Sequence, residues 1–221
     1  MKIKQLIHRY KHAWVLLYGF IYLPWFMWLE KTVTKDFYVI HSSIDDYIPF
    51  VEYFIIPYLL WFIYIAATGI YFFFKDTAGF YRLAAFLVIG MTAFLVISTL
   101  FHNGLDMRPE TFARDNIFVN LVKLLHTADT STNVLPSIHV YNSIGAYLAI
   151  SHSKTLRQNK ITHIGSLVLS ILIILSTMFL KQHSIIDVVA AIALSTITYL
   201  IVYARQPKPS AQLSRQPAFK W

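Results

Sequence analysis

Long apolar runs separated by short polar stretches make up most of this chain. An α-helix needs about 17–25 mostly apolar residues to cross a lipid bilayer, and aromatic side chains cluster at the ends of several runs, as they do at membrane interfaces. The pattern predicts six membrane-spanning helices, at residues 13–28, 50–74, 83–101, 137–152, 163–180 and 185–203. We therefore predict an all-α polytopic membrane protein, with a six-transmembrane-helix bundle as a single domain at residues 1–204 and a basic, disordered cytoplasmic tail at 205–221.

The fourth predicted span is short and more polar than the others. It carries hydroxyl, amide and imidazole side chains, at Ser137, His139, Asn142, Ser143 and Ser151. Because lipid cannot hydrogen-bond to such groups, they are costly on a lipid-facing surface. We expect this helix to be buried inside the bundle.

Composition supports a membrane protein and limits its chemistry. Hydrophobic residues make up 57% of the chain and charged residues only 14%, whereas about a quarter of a soluble domain is charged. The formal net charge is +8, but basic residues in membrane proteins mark cytoplasmic loops, so we predict membrane lipids and no nucleic acid as partners. The chain has no cysteine, which excludes a disulfide, a thiolate nucleophile and a cysteine-ligated metal.

The distribution of lysine and arginine predicts the orientation. Of the 19 basic residues, 13 lie in the N-terminal segment, the loops after spans two and four, and the tail. Cytoplasmic segments carry such an excess, so we expect both termini in the cytoplasm, in a protein of the bacterial cytoplasmic membrane. On the opposite side, residues 116–127 predict a short amphipathic helix lying on the membrane. We interpret Asp45 and Asp46, also on that side, as interfacial residues that contact water or a cationic headgroup.

Three polar clusters fall at the predicted outer ends of spans three to six. Span three runs into a loop that contains Arg108. Span four begins with the residues Pro-Ser-Ile-His at 136–139, and Pro is favoured in the first turn of a helix. His183 precedes span six, and Asp187 follows it by four residues. The predicted topology therefore brings all three clusters to one membrane face.

Each cluster is suited to a step in phosphate chemistry. A helix start with free amides, here at Ser137 and Ile138, attracts anions. Residues four apart share a helix face, so Asp187 can fix the tautomer of His183 and leave its other ring nitrogen free as a nucleophile. Arg108 offers a guanidinium that matches phosphate oxygens. Each cluster alone also has a structural explanation, but together they favour phosphoryl transfer through a phosphohistidine.

The clusters resemble the three motifs of the type-2 phosphatidic acid phosphatase (lipid phosphate phosphatase) superfamily. The first motif ends in Arg-Pro, which Arg108 and the next residue match. The second is Pro-Ser-x-His, matched by 136–139. The third is a Ser, a His seven residues later and an Asp four further on, matched by Ser176, His183 and Asp187. The resemblance covers spans three to six, and it implies a membrane-embedded lipid phosphatase.

Two positions depart from the family pattern. A Lys usually opens the first motif where this chain has Phe101, and an Arg usually follows the Ser of the third motif where this chain has Thr177. With Ile138 in the second motif and the polar stretch 129–134 before it, these departures resemble the branch that includes inositol phosphorylceramide synthases. The sequence leaves open what replaces the missing cations, and the candidates for substrate or supporting contacts are Asp129, Asn133, Arg114, Ser176 and Thr177.

The resemblance implies a mechanism that requires neither a metal nor a cofactor. His183 attacks the phosphorus of a lipid phosphate, Asp187 orients the ring, and His139 protonates the leaving alkoxide. The groups implied for binding the phosphate oxygens are Arg108, Ser137 and the amide of Ile138. We predict hydrolysis of a lipid phosphate monoester or pyrophosphate at the extracytoplasmic membrane face.

Other functions fit parts of the pattern. A phosphotransferase that moves a phospho-headgroup between lipid alcohols would use the same histidines, and it is the main alternative. Paired histidines on membrane helices also ligate haem, and helical bundles also form transporters, but the histidines here lie at helix ends beside an anion site, and no inverted repeat is visible. The sequence leaves open the lipid, the acceptor and the oligomeric state.

Overall fold

A computed structural model describes residue 5 and residues 8–204. Its eight α-helices in that part of the chain are α1 (Gly19–Thr32), α2 (Ile55–Lys75), α3 (Thr77–Leu100), α4 (Ile117–Ala128), α5 (Ile138–His152), α6 (Lys154–Gln158), α7 (Lys160–Phe179) and α8 (Ile185–Val202). Three 3-10 helices accompany them, at Lys11–Tyr18, Asp45–Tyr47 and Glu52–Phe54. The tail predicted to be disordered, at 205–221, lies outside the described residues.

Five helical segments of the described chain are long and apolar enough to cross a membrane. They are Lys11–Thr32, Glu52–Lys75, Thr77–Leu100, Lys160–Phe179 and Ile185–Val202. These segments correspond to five of the six predicted spans and confirm an all-α membrane protein. Helix α5 occupies the place of the fourth predicted span, but it has only 15 residues, so the count of six transmembrane helices stays a prediction.

Polar cap residues set helix ends that the hydrophobic pattern misplaced. Helix α3 begins at Thr77 rather than at residue 83, because the Asp76 side chain accepts a hydrogen bond from the Gly79 N–H at 2.9 Å. Helix α7 begins at Lys160 rather than at residue 163, because Asn159 caps its first turn in the same way. Such caps satisfy amides that the helix itself leaves unpaired, and they can precede the first apolar residue by a full turn.

Helix α5 lies at the centre of the bundle and packs against α2, α3, α7 and α8. Nine of its 15 residues are buried, which confirms the expected burial of this polar segment. The Tyr141 hydroxyl on α5 hydrogen-bonds to the Phe86 carbonyl oxygen at 2.8 Å. A Cβ atom at Gly90 would clash with the Tyr141 ring, so the close approach of α3 and α5 requires glycine at that position.

Helix α4 confirms the predicted short amphipathic helix. Its apolar face, however, does not lie wholly on the membrane. Asn116 caps it by accepting from the Val119 N–H at 3.0 Å. Val119 and Val122 are fully covered, and Val122 packs in a cluster with Tyr58 and Leu180 of the bundle. Part of the face expected to lie on the membrane therefore packs on the protein instead.

Two very short strands tie the loops together at one end of the bundle. Strand β1 (Tyr38–Val39) pairs in parallel with β2 (Asn103–Gly104), and Gly104 also forms an isolated antiparallel bridge with Thr132. The Asn103 side chain accepts from the N–H groups of Val134 and Leu135, each at 2.9 Å. The loops that precede α2, α4 and α5 are thus joined at the end of the bundle where His139 and His183 lie, here called the histidine end.

Candidate active site

His183 lies in the tight turn between α7 and α8, residues 180–184. The carbonyl oxygen of Thr177, in the last turn of α7, accepts from the N–H groups of Gln182 and His183 at 2.9 and 3.0 Å. Lys181 takes the left-handed backbone conformation, with φ of 57°, which lets the chain reverse within a few residues. The turn fixes the backbone of His183, and only 7% of this residue is exposed.

The first turn of α8 places a carboxylate beside the His183 ring. Nδ1 of His183 lies 3.4 Å from Oδ2 of Asp187, and the same oxygen accepts from the Ser184 N–H at 3.0 Å. Ser184 and Asp187 together form a capping box, so the helix start that the sequence encodes also aims the carboxylate. With Nδ1 turned toward Asp187, the Nε2 atom of His183 is the one available for chemistry.

His139 lies in the first turn of α5, directly across from His183. The two ring centroids are 5.7 Å apart. Two aromatic rings of α2 hold the other faces of His139, with centroid distances of 4.7 Å to Tyr58 and 4.4 Å to Trp61. Within residues 8–204, Nδ1 of His139 is buried and has no hydrogen-bond partner. The structure thus brings together three predicted residues, His139, His183 and Asp187.

Asp45 supports the His183 turn, the segment 180–184. Sequence analysis did not predict this role for Asp45. Its carboxylate accepts from the Ser184 hydroxyl at 2.6 Å and from the Ile185 N–H at 2.9 Å. Its carbonyl oxygen accepts from Lys181 Nζ at 2.7 Å. Asp45 is only 2% exposed, so its interpretation as an interfacial residue was wrong. Asp46 is exposed and pairs with His41 at 2.8 Å.

A small cavity of about 30 Å³ lies between the two histidines and the loop before α5. Its polar lining consists of side chains from three segments, chiefly Glu30, Asp129, Asn133, His139, Gln182 and His183. Ile138 and two phenylalanines form apolar walls. Two of the predicted supporting residues, Asp129 and Asn133, therefore lie beside the histidines.

Glu30, at the end of α1, is a second residue that sequence analysis missed. Its two carboxylate oxygens accept from the Thr130 hydroxyl at 2.5 Å and from Asn133 Nδ2 at 3.0 Å. These partners follow Glu30 by 100 residues or more, so no local motif connects them. Asn133 itself has φ of 56°, a left-handed conformation that asparagine tolerates better than most residues. The contact closes the loop over the cavity.

Arg108 contacts backbone oxygens of this loop and of α4. Its guanidinium donates to the carbonyl oxygens of His126, Asp129 and Thr130, at 3.1, 2.9 and 2.8 Å, and to Gln182 Oε1 at 2.8 Å. Burial lowers the pKa of Arg108, and the Asp129 carboxylate opposes that shift. The side chain thus holds together the C-terminal end of α4, the loop and the His183 turn. Its predicted phosphate contact stays a prediction, and it requires some of these hydrogen bonds to be exchanged.

Ser137 and Ile138 occupy the start of α5, but one predicted free amide is already bound. Ser137 is fully buried and caps the helix through the Val140 N–H. Its own N–H donates to the Asp187 carbonyl oxygen at 3.3 Å, which ties α5 to α8. The expectation that the Ser137 amide points outward as an anion donor was therefore wrong, because the adjacent helix supplies its acceptor.

The remaining predicted residues lie away from the cavity. The hydroxyls of Ser176 and Thr177 are buried and donate to carbonyls of their own helix, those of Ile173 and Ile174. Arg114 is exposed and pairs with Glu52 at 3.0 Å. Phe101, where the family pattern has a lysine, packs beside Tyr38. In the described chain, none of the residues that line the cavity is a lysine or an arginine.

These features define a class: a helical membrane protein with a buried histidine pair and an orienting carboxylate at one end of its bundle. The model of the PAP2 superfamily matches residues 82–210, more than half of the chain, so the chain belongs to the PAP2 superfamily. Its members are generally phosphatases or related phosphotransferases, and the superfamily indicates action on lipid phosphates. Neither the curated proteins nor the solved structures include a significant match to this chain.

The family match confirms the predicted superfamily and covers the part of the chain that carries the three motifs. It begins in α3, so α1 and α2 lie before it. The closer resemblance to inositol phosphorylceramide synthases stays a prediction, because the family match does not distinguish branches.

Proposed function

We propose that this protein breaks a phosphate ester of a membrane lipid through a covalent phosphohistidine on His183. The observation that carries the proposal is the arrangement of His183, with Asp187 behind its Nδ1 atom and His139 facing it at 5.7 Å. Nε2 of His183 attacks phosphorus, and the bond from phosphorus to the lipid oxygen breaks. Asp187 stabilises the positive charge that develops on the ring.

His139 serves as the general acid and then as the general base. It gives a proton to the leaving lipid alkoxide and later takes one from the acceptor, each step of the kind that a positioned group accelerates by about 10²–10⁴-fold. Burial of the ring between Tyr58 and Trp61 keeps it in position. With water as acceptor the reaction is hydrolysis, and the simplest substrate is a lipid phosphate monoester or pyrophosphate. The distribution of basic residues supports an extracytoplasmic location for this site.

Radiolabel trapping tests the phosphohistidine directly. Purified protein in detergent is mixed with lipid phosphates labelled at phosphorus, quenched in alkali, and assayed for protein-bound label. Wild type should retain label, and His183→Ala should retain none and lose activity. His102→Ala is the matched control, because His102 is exposed near the same end of the bundle and should label normally. Full labelling of His183→Ala would remove the mechanism.

A second candidate function is transfer of a phospho-headgroup to another lipid alcohol. The observation in its favour is the lining of the cavity. The lining contains two carboxylates and, within the described chain, no lysine or arginine. A phosphate monoester carries about two negative charges near neutral pH, as phosphorylated side chains do, whereas a diester carries one. A diester therefore suits this lining better, and cleavage of a diester leaves a headgroup on the histidine for transfer.

Product analysis separates the two functions. Wild-type protein is supplied with a labelled phospholipid donor, with and without diacylglycerol, ceramide or a polyprenol as acceptor. Transfer predicts a new labelled lipid that appears only with an acceptor. Hydrolysis predicts release of label into water at a rate that acceptors do not change.

A further inference from the structure

The cavity beside the histidines is lined by two carboxylates, and no cation of the described chain hydrogen-bonds to either of them. Both carboxylates are held by neutral donors: Glu30 by Thr130 and Asn133, and Asp129 by the Tyr58 hydroxyl at 2.9 Å. Arg108, the nearest guanidinium, contacts the backbone oxygen of Asp129 rather than its carboxylate. Glu30 and Asp129 are partly buried, and Arg108 attracts both electrostatically without contacting either carboxylate. The lining therefore leaves room for a positive charge to come from a ligand.

Two buried amide atoms on the same cavity also lack a partner within the part of the chain that the structure describes. They are Oδ1 of Asn133 and Nε2 of Gln182, on residues that are 6% and 3% exposed. Their assignment follows from charged neighbours: Asn133 turns its Nδ2 toward Glu30, and Gln182 turns its Oε1 toward Arg108. One amide acceptor, on Asn133, and one amide donor, on Gln182, are therefore left without a partner among the described residues.

This arrangement matches a group that is positive at one end and negative at the other. Glu30, Asp129 and Asn133 Oδ1 supply three acceptors, and a primary ammonium has three N–H donors. Gln182 Nε2 offers a donor to a phosphate oxygen beside His183. A trimethylammonium group has no N–H to donate to these acceptors. A hydroxyl headgroup would place no positive charge beside the two carboxylates.

We propose that the substrate is a zwitterionic phospholipid with a primary amine in its headgroup, and that Glu30, Asp129 and Asn133 bind that ammonium. This inference rests on the proposed function and names its substrate class. His183 Nε2 bonds to phosphorus, the bond to the diacylglycerol oxygen breaks, and His139 protonates that oxygen. The phosphohistidine keeps its aminoalkyl ester. Water or an alcohol then attacks phosphorus, gives its proton to His139 and releases His183.

Donor selectivity of the whole protein is the first test. Phosphatidylethanolamine, phosphatidylcholine, phosphatidylglycerol and phosphatidate, each labelled at phosphorus, are compared for labelling of His183 in detergent. Phosphatidylethanolamine should be the best donor, by at least about tenfold in kcat/KM, since phosphatidylglycerol and phosphatidate lack an ammonium and phosphatidylcholine lacks its N–H donors. Equal or better labelling by phosphatidylglycerol or phosphatidate would overturn the inference and leave the proposed function intact. Absence of label from all four donors and from a labelled polyprenyl pyrophosphate would instead remove the proposed function.

Charge removal in the cavity is the second test. Glu30→Gln and Asp129→Asn should each lower kcat/KM for phosphatidylethanolamine by about tenfold or more, and should improve phosphatidate relative to it. Glu110→Gln is the matched control, because Glu110 is exposed in a loop at the same end and should leave selectivity unchanged. If neither cavity variant changes the ratio of kcat/KM for phosphatidylethanolamine to that for phosphatidate, the carboxylates do not bind the ammonium. If a variant fails to fold, the wild-type donor series still decides.

Discussion

The part of the chain that matches the superfamily and the part before it contribute differently to the histidine end. Residues 82–210 supply His139, His183 and Asp187, the groups proposed to react. The preceding residues supply no motif of the family, yet they surround those groups: Asp45 supports the His183 turn, and Glu30 lines the cavity. The reacting groups therefore all lie in the matched part, whereas the supporting contacts come from both parts of the chain.

The two parts of the chain differ in how their residues are positioned at the site. The reacting residues are placed by local geometry, namely a helix start and a capping box. The supporting residues act through contacts between loops and helices that are distant in sequence, such as Asp45 with Ser184, 139 positions apart. A family can keep the first set while the second set changes with the substrate. Substitutions in each part should accordingly have different effects on rate and on selectivity.

Among substitutions in these two parts of the chain, Asp187→Asn, within the matched part, is expected to have the largest effect. The amide cannot stabilise a positive ring and can hold His183 in the wrong tautomer, a change that lowers kcat by about 10⁴-fold where a similar carboxylate–histidine pair has been altered. We expect the rate of His183 labelling to fall by about 10³–10⁴-fold, with KM little changed.

The labelling rate is measured by quenching the reaction at successive times with saturating donor. Thermal unfolding in detergent checks that the variant is folded. Asp106→Asn is the control, because Asp106 is exposed in the loop after β2. A loss of less than about tenfold in Asp187→Asn would mean that the carboxylate does not act on the ring.

A smaller but still clear effect is expected from Asp45→Asn, in the part before the match. The amide retains one acceptor oxygen, but its NH₂ group then faces one of the donors that the carboxylate now satisfies, the Ser184 hydroxyl or the Ile185 N–H. The His183 turn should shift, and small displacements of a reacting group cost up to about 10²-fold in rate. We expect kcat to fall by about 10–100-fold with the donor preference retained.

Asp46→Asn provides the control, since Asp46 is exposed and contacts only His41 among the described residues. The two substitutions are adjacent in sequence, but only Asp45 is buried and hydrogen-bonds to the residues that follow His183. Equal, wild-type kcat in both would show that the part before the match does not position His183. A changed donor preference in Asp45→Asn would give Asp45 a role in binding rather than in positioning.

The same contrast explains which residues of this site could be predicted from the sequence. The positions of His139, His183 and Asp187 were predictable because helix periodicity and caps act over a few residues. Glu30 and Asp45 were not, because their partners lie 100 or more positions away and a carboxylate at the end of an apolar run looks like an ordinary interfacial residue. The helical membrane fold was predictable from hydrophobicity, whereas its helix ends depended on single cap residues.

Arg108 gave a third kind of result, since its position was predicted but its contacts were not. Three of its four oxygen partners are backbone carbonyls, and a sequence does not distinguish one carbonyl from another. A guanidinium in an Arg-Pro pair that matches the first family motif was therefore assigned to phosphate, while in the structure it joins α4 to the loop that lines the cavity.

The smallest effect is expected from Arg108→Lys, which tests whether Arg108 belongs with the reacting or the supporting groups. Lysine keeps the charge but cannot reach four oxygens from a planar group. If Arg108 mainly holds the loop around Asp129, the variant should loosen the cavity by one or two hydrogen bonds, worth about 0.5–1.5 kcal/mol each. KM should then rise by about tenfold, and the labelling rate at saturating donor should stay within about threefold of wild type. A fall of about 10²-fold in that rate, with KM unchanged, would instead mean that Arg108 leaves its carbonyl partners and stabilises charge on the phosphate during the reaction.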